Sequence, residues 1–122
     1  MSKSDTNEWL KEVVELSMLY DFYGELLSEN AKRAFSGYVL EDMTLAELSE
    51  ETGVSRQGIY DTVKRTVAKL RSYEEKLRLV AKFKNMKSEV EHIRSIAGKI
   101  KSGDNVGADE IIEIAEKMLE DI

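Results

Sequence analysis

Apolar side chains recur at Trp9, Leu10, Val13, Val14, Leu16, Leu19, Tyr20, Tyr23, Leu26 and Leu27, mostly three or four positions apart. That spacing follows the period of an α-helix and predicts a first helix from about Thr6 to Leu27. Asp5 and Glu8 have the spacing of a capping box at its start. Ser28 can then cap a second helix, "ENAKRAFSGYVL", which turns Ala31, Ala34, Phe35, Tyr38 and Val39 inward. Gly37 weakens that element slightly.

The next stretch, "TLAELSEETGVSRQGIYDTVKRTVAKL", is punctuated more tightly. Thr44 and Glu47 form a second capping box, which opens a helix at Leu45. Gly53 supplies the left-handed backbone that ends it, and Ser55 caps the helix that follows. Leu45, Leu48, Val54, Ile59 and Val63 fall where the core residues of a helix-turn-helix fall. Gly58, in the first turn of the second of these helices, softens it.

Beyond the motif the period changes. Val63, Leu70, Tyr73, Leu77 and Val80, with Thr66 as a polar member, follow one coiled-coil seam. Phe83, Met86, Val90, Ile93, Ala97 and Ile100 follow a second, and the step from Val80 to Phe83 is one residue short of keeping the two in register. A break near Lys82–Asn85 is predicted, with the seams closed by antiparallel helices or by a second subunit. "KSGDNVGADE" reads as a loop, and a last helix from about Asp109 to Glu120 should bury Ile111, Ile112, Ile114, Ala115, Met118 and Leu119. The organisation is a helix-turn-helix domain over 1–70 (motif 44–70), a heptad-patterned extension over 71–102, and a loop with an acidic helix over 103–122. The absence of proline and the 34% charged residues agree with an all-α protein.

Charge changes the picture more than composition does. Residues 1–52 carry 4 basic and 12 acidic side chains, residues 53–103 carry 13 and 5, and residues 104–122 carry 1 and 7. The net charges are −8, +8 and −6, so a positive middle lies between negative ends. A polyanionic partner would explain this, and so would acidic ends folded back on the basic middle. The chain has no cysteine, which excludes disulfides, thiolate metal sites and cysteine nucleophiles. No apolar run is long enough to span a bilayer, and "MSKSDTNEW" lacks the hydrophobic segment of a signal peptide, so a soluble cytoplasmic protein is expected.

Little points to catalysis. His92 is the only histidine, and with Glu89 and Glu91 it makes no recognisable metal site. "DNVGAD" lacks the spacing of a calcium loop, and no phosphate-binding glycine motif is present. No catalytic residue, metal or cofactor is expected. The aromatic group Trp9, Tyr20, Phe22, Tyr23, Phe35 and Tyr38 reads as core, with Phe22 off the helical stripe and open to a contact role.

The second helix of the motif carries the candidate chemistry. With Ile59 and Val63 inward, the helical period turns Arg56, Gln57, Tyr60, Asp61 and Lys64 outward. Arg56 and Gln57 stand at the end that enters the major groove in this motif, where arginine suits guanine and glutamine suits adenine. Lys64, Arg65 and Lys69 can hold phosphates. Asp61 opposes such contacts, and Gly58 gives up a position. Nucleic-acid binding, sequence-specific or not, and a purely structural role all remain open at this stage.

Residues 16–83 resemble the YlxM family of small bacterial helix-turn-helix proteins. The resemblance is carried by "LYDFYGELLSENAKR", "YVLEDMTLAELSEETGVSRQGIYDTVKRT" and "YEEKL". "SRQGIYDTVKRT" and "DFYGELL" are its most characteristic parts. Gly58 departs from the family's usual alanine, and "ENAKRAFSGYV" has a weaker pattern than the family's. The tail beyond about Asn85 lies outside the resemblance.

The resemblance implies a fold like region 4 of bacterial sigma factors, with additional carboxy-terminal helices. It also implies a regulatory or accessory role in the signal recognition particle pathway. The partner would then be the particle's RNA or a particle GTPase; a DNA-binding transcriptional regulator is the alternative. A homodimer is expected, because the seams from Leu70 to Ile100 hold more apolar surface than a small domain easily buries alone.

Overall fold

The computed structural model describes residues 3–103 and 106–121, and among them it contains six α-helices and no strand. They are α1 (Lys3–Tyr23), α2 (Glu29–Phe35), α3 (Leu45–Thr52), α4 (Arg56–Leu77), α5 (Leu79–Lys101) and α6 (Ala108–Glu120). The chain divides between Val80 and Ala81 into two compact units.

In the first unit, α4 packs against α1, α2 and α3. Leu16, Leu19, Tyr23, Leu27, Ala34, Phe35, Val39, Leu48, Ile59, Val63, Leu70 and Val80 form its core. Tyr20 stacks on Phe35 with ring centroids 5.2 Å apart. Thr66, the polar member of the first seam, is buried and donates its hydroxyl to the Thr62 carbonyl at 2.8 Å. This internal bond lets a hydroxyl sit among apolar neighbours without an unmet donor.

Local signals place the motif's boundaries well. Thr44 Oγ1 accepts from Glu47 N–H at 3.0 Å while the Glu47 carboxylate reaches back to Thr44 N–H, completing the capping box. Gly53 closes α3 at φ 76°, a left-handed geometry that a side chain would strain. Ser55 Oγ accepts from Gly58 N–H at 3.0 Å and opens α4.

Several boundaries differ from the sequence reading. α1 begins at Lys3, ahead of Asp5, so Asp5 is not at the N-cap. It ends at Tyr23, short of Leu27, in a 3-10 turn (Gly24–Leu26) closed by Leu27 N–H on the Gly24 carbonyl. The apolar set of α1 is wider than one packed face: Leu10 and Val14 lie opposite Leu16 on the helical period and are exposed. Trp9 shares the inner face but precedes the first core residue by two turns and is also exposed. "ENAKRAFSGYVL" widens after Phe35 into a π-helical turn, Ser36–Leu40, that brings Gly37 against Leu48. A Cβ on Gly37 would meet Leu48 Cδ2 at 2.6 Å. Val54, assigned to the motif's core, is exposed because the Gly53 turn, held by Val54 N–H on Thr52 Oγ1, points it outward.

The predicted break at Lys82–Asn85 is also corrected: α5 runs through that stretch, and the chain breaks at Arg78, φ 57°. The cause lies fifty residues away. Tyr23 is buried and donates its hydroxyl to Glu74 Oε1 at 2.6 Å. The same two groups accept the first N–H groups of α5, Leu79 on Tyr23 Oη at 3.1 Å and Val80 on Glu74 Oε1 at 2.9 Å. A helix start buried without partners would be costly, and this pair supplies them. Burial and the Glu74 carboxylate together push the Tyr23 phenol above its ordinary value.

The acidic partners in this unit are specific. Arg33 bonds Glu51 at 2.6 Å and Glu41 at 2.7 Å, linking α2 to the π-turn's end and to α3. Those bonds hold the Glu51 carboxyl below the usual carboxylate range. Arg71 on α4 bonds Glu12 on α1 at 3.1 Å.

In the second unit, α5 and α6 carry Ile96 buried and Ile93, Ile100, Ile111, Ile114, Ala115 and Met118 half-buried. His92 Nε2 lies 3.2 Å from Glu110 Oε1, joining the two helices. Ile112 and Leu119, predicted to be buried, are exposed, as are Phe83, Met86, Val90 and Ala97 of the second seam. Two helices offer each other one stripe apiece, and these residues lie beside it. Of the predicted loop, residues 102 and 103 form a turn after Lys101 and Gly107 precedes α6; residues 104 and 105 lie outside the described residues.

Candidate nucleic-acid interface

α4 is anchored by Ile59, Val63, Thr66 and Leu70, all buried along one face. A 3.6-residue period then distributes the exposed residues over the rest of its circumference. Arg56, Tyr60 and Lys64 form one flank, and Arg65 and Lys69 form the other. Gln57 lies between them, next to Asp61. All six candidate residues are exposed. They make no single row.

Each has a definite setting. Lys64 Nζ sits 5.6 Å from the centre of the Tyr60 ring, within cation–π range. Gln57 Nε2 donates to Asp61 Oδ1 at 3.0 Å, so the glutamine amide is already engaged, and the carboxylate is turned toward it. Arg65 Nη2 reaches Thr62 Oγ1 at 3.4 Å, a long bond that leaves the other guanidinium donors outward. Arg56 and Lys69 have no hydrogen-bond or ion-pair partner among the described residues. Among those residues, none of the five cationic and aromatic side chains meets a carboxylate.

The first turn of α4 adds to this. It contains no acidic residue, and the N–H groups of a first turn have no intrahelical acceptor. Ser55 satisfies the Gly58 N–H, so those of Arg56 and Gln57 face outward beside the arginine side chain. The geometry suits a polyanion: a cationic flank on each side for phosphates and a polar strip between them.

Charge neutralisation by the chain's own acids is real but local. Glu12 and Glu15 of α1 approach Arg71, in the second half of α4. They do not reach Arg56, Lys64, Arg65 or Lys69. Sequence reasoning missed that division because the pairing depends on which part of α1 crosses α4. It also missed exposed Val54, which adds an apolar spot beside Arg56 at the same end of the helix.

Residues 10–106 match a family described as UPF0122, "Putative helix-turn-helix protein, YlxM / p13 like". The match extends past Asn85 and so takes in α5, beyond the stretch that carries the resemblance in the sequence. The chain is 39% identical over 109 residues to the UPF0122 protein YlxM of Bacillus subtilis (strain 168), covering 89% of this chain and 97% of the relative. It is 41% identical over 90 residues to a UPF0122 protein of Halalkalibacterium halodurans, covering 74% and 83%. A UPF0122 protein of Bacillus cereus (strain AH187) is 44% identical over 94 residues, covering 69% and 86%. With its motif, its all-helical build and this extent of similarity, the chain belongs to the UPF0122 family of YlxM- and p13-like proteins.

Proposed function

We propose that the chain is a non-enzymatic, cytoplasmic binding protein whose α4 engages nucleic acid, and that its ligand is the RNA of the signal recognition particle. One observation supports this above the others: both cationic flanks of α4 are exposed and, among the described residues, meet no carboxylate partner, while Glu12 and Glu51 pair with Arg71 and Arg33 and Asp61 with Gln57. The link to the particle rests on the YlxM resemblance. In this reading the protein is an accessory or regulatory component of protein targeting and acts as a homodimer. A particle GTPase is the other component it would meet.

The engaged Gln57–Asp61 pair weighs against base reading, because the glutamine amide that would meet a base edge is occupied, and phosphate contact falls to the cationic flanks on either side of Asp61. A second reading, a DNA-binding regulator of the sigma-region-4 type, draws on Arg56 at the exposed helix start.

Titration of labelled particle RNA and of duplex DNA with the full chain, at several salt concentrations, separates the two. The proposal expects RNA binding that weakens steeply with salt. A triple variant of Lys64, Arg65 and Lys69 to alanine should lower the salt slope by about one for each phosphate no longer neutralised. Sequence-dependent duplex binding abolished by Arg56→Ala would replace it with the second reading. Binding to neither at about 50 mM salt would refute both.

A further inference from the structure

The two flanks of α4 differ in a way that charge does not explain. No aromatic side chain accompanies Arg65 and Lys69, whereas Tyr60 lies between Arg56 and Lys64, about 6 Å along the helix axis from each. The chain has five tyrosines, and four of them, Tyr20, Tyr23, Tyr38 and Tyr73, belong to the core of the first unit or pack against it. Tyr60 does neither. It is 40% exposed, and among the described residues it stacks on no ring and makes no hydrogen bond.

What the ring does meet is Lys64, whose Nζ stands over it at 5.6 Å from the centroid. An ammonium in that place marks a ring face open enough to admit a group from solvent. The lysine holds it only by cation–π attraction, on a flexible four-carbon stem. A phosphate carries a full charge and draws the ammonium away, which leaves the face to a base. Stacking of a base on an aromatic ring is the stronger of the two contacts. Such a contact needs no free edge reader, so the engaged Gln57 does not oppose it. It does need a base with a bare face. In a paired helix the faces are covered by neighbouring bases, and only an unpaired nucleotide offers one.

We propose that Tyr60 is a stacking platform for an unpaired base, with Arg56 and Lys64 holding the phosphates on either side, so that α4 selects single-stranded over paired segments of its RNA. This rests on the nucleic-acid reading of α4 and narrows its ligand.

The test is a titration of the full chain against a single-stranded RNA of about 12 nucleotides and against the duplex it forms with its complement, with circular dichroism to check that each variant keeps its helix content. Tyr60→Ala should weaken single-strand binding by at least about fivefold and duplex binding by less than about twofold, with the salt slope unchanged, because the lost contact carries no charge. Tyr60→Phe keeps the ring and loses only the hydroxyl, so it should bind the single strand within about twofold of wild type. Lys64→Ala, by contrast, should lower the single-strand salt slope by about one. A loss as large in Tyr60→Phe as in Tyr60→Ala would make the residue a hydroxyl donor to phosphate and overturn the platform. Equal losses on both RNAs, or no loss in Tyr60→Ala, would also overturn it, while salt-dependent binding by the wild-type chain would keep the α4 reading intact. A wild-type chain that binds neither RNA at about 50 mM salt overturns the platform and that reading together.

Discussion

The two units of this chain are built from the same kind of helix but close themselves differently. Of the thirteen buried apolar side chains among the described residues, twelve lie between Leu16 and Val80, and Ile96 is the remaining one. In the first unit four helices surround a shared centre, so that Phe35, Leu48 and Leu70 are shielded on every side. In the second, a pair of helices shields only the stripe between them and leaves Ile112, Leu119 and the seam of α5 in contact with solvent. Helix number sets this difference more than hydrophobicity does. A domain of three or more packed layers of side chain makes an interior, whereas two helices make a single contact line.

That contrast can be broken most directly in the cores. Phe35→Ala should cost about 3–5 kcal/mol of unfolding free energy in urea titration, because a fully buried ring leaves a cavity. Leu119→Ala, at 69% exposure, should stay within about 0.5 kcal/mol. Equal costs would mean that the second unit has an interior comparable to the first. Next in size is Gly37→Ala. The new methyl would press on Leu48, and the same titration should fall by about 1–3 kcal/mol.

The boundary between α4 and α5 offers a third test. Glu74→Ala and Tyr23→Phe each remove part of the set of groups that receives the Leu79 and Val80 N–H groups. Hydrogen exchange at those two amides should speed by the equivalent of about 1–3 kcal/mol, with the amides of mid-α5 less affected. The raised phenol of Tyr23 also fixes a pH dependence. Its neutral form is favoured in the folded state, so the stabilisation is full below the ordinary tyrosine pKa of about 10 and is lost as pH rises through the higher folded value. Tyr23→Phe should remove that alkaline limb.

The smallest effect is expected at the surface. The Glu51 carboxyl, held low by Arg33, contributes stability that is present above the ordinary glutamate pKa of about 4.3 and is lost as pH falls through its depressed folded value. Both partners are substantially exposed, so the contribution is screened. Arg33→Gln should flatten the acid limb of the stability profile measured by thermal unfolding.

Some of this was legible in one dimension. Thr44, Glu47, Gly53 and Ser55 marked the helix-turn-helix because each acts within four residues of itself, through a cap or a left-handed turn. The inward faces of α2 and α4 followed from the helical period for the same reason. The outward setting of Arg56, Gln57, Tyr60, Lys64, Arg65 and Lys69 followed from Ile59 and Val63. Their division into two flanks is a matter of position around a cylinder, which residue types alone do not give.

What sequence alone determined, then, is whatever rests on neighbours a turn apart: the all-helical build, the caps, the motif and the sign of the charge on α4. Tertiary structure decided the rest. The chain breaks at Arg78 and not at the seam's missing residue, because Tyr23 and Glu74 meet there to receive two N–H groups. Glu12 neutralises Arg71 and leaves Lys64 alone, because α1 crosses α4 at that level. In each case a hydrogen bond or an ion pair must be within about 3–4 Å to matter, and only the packed helices bring residues fifty positions apart to that distance.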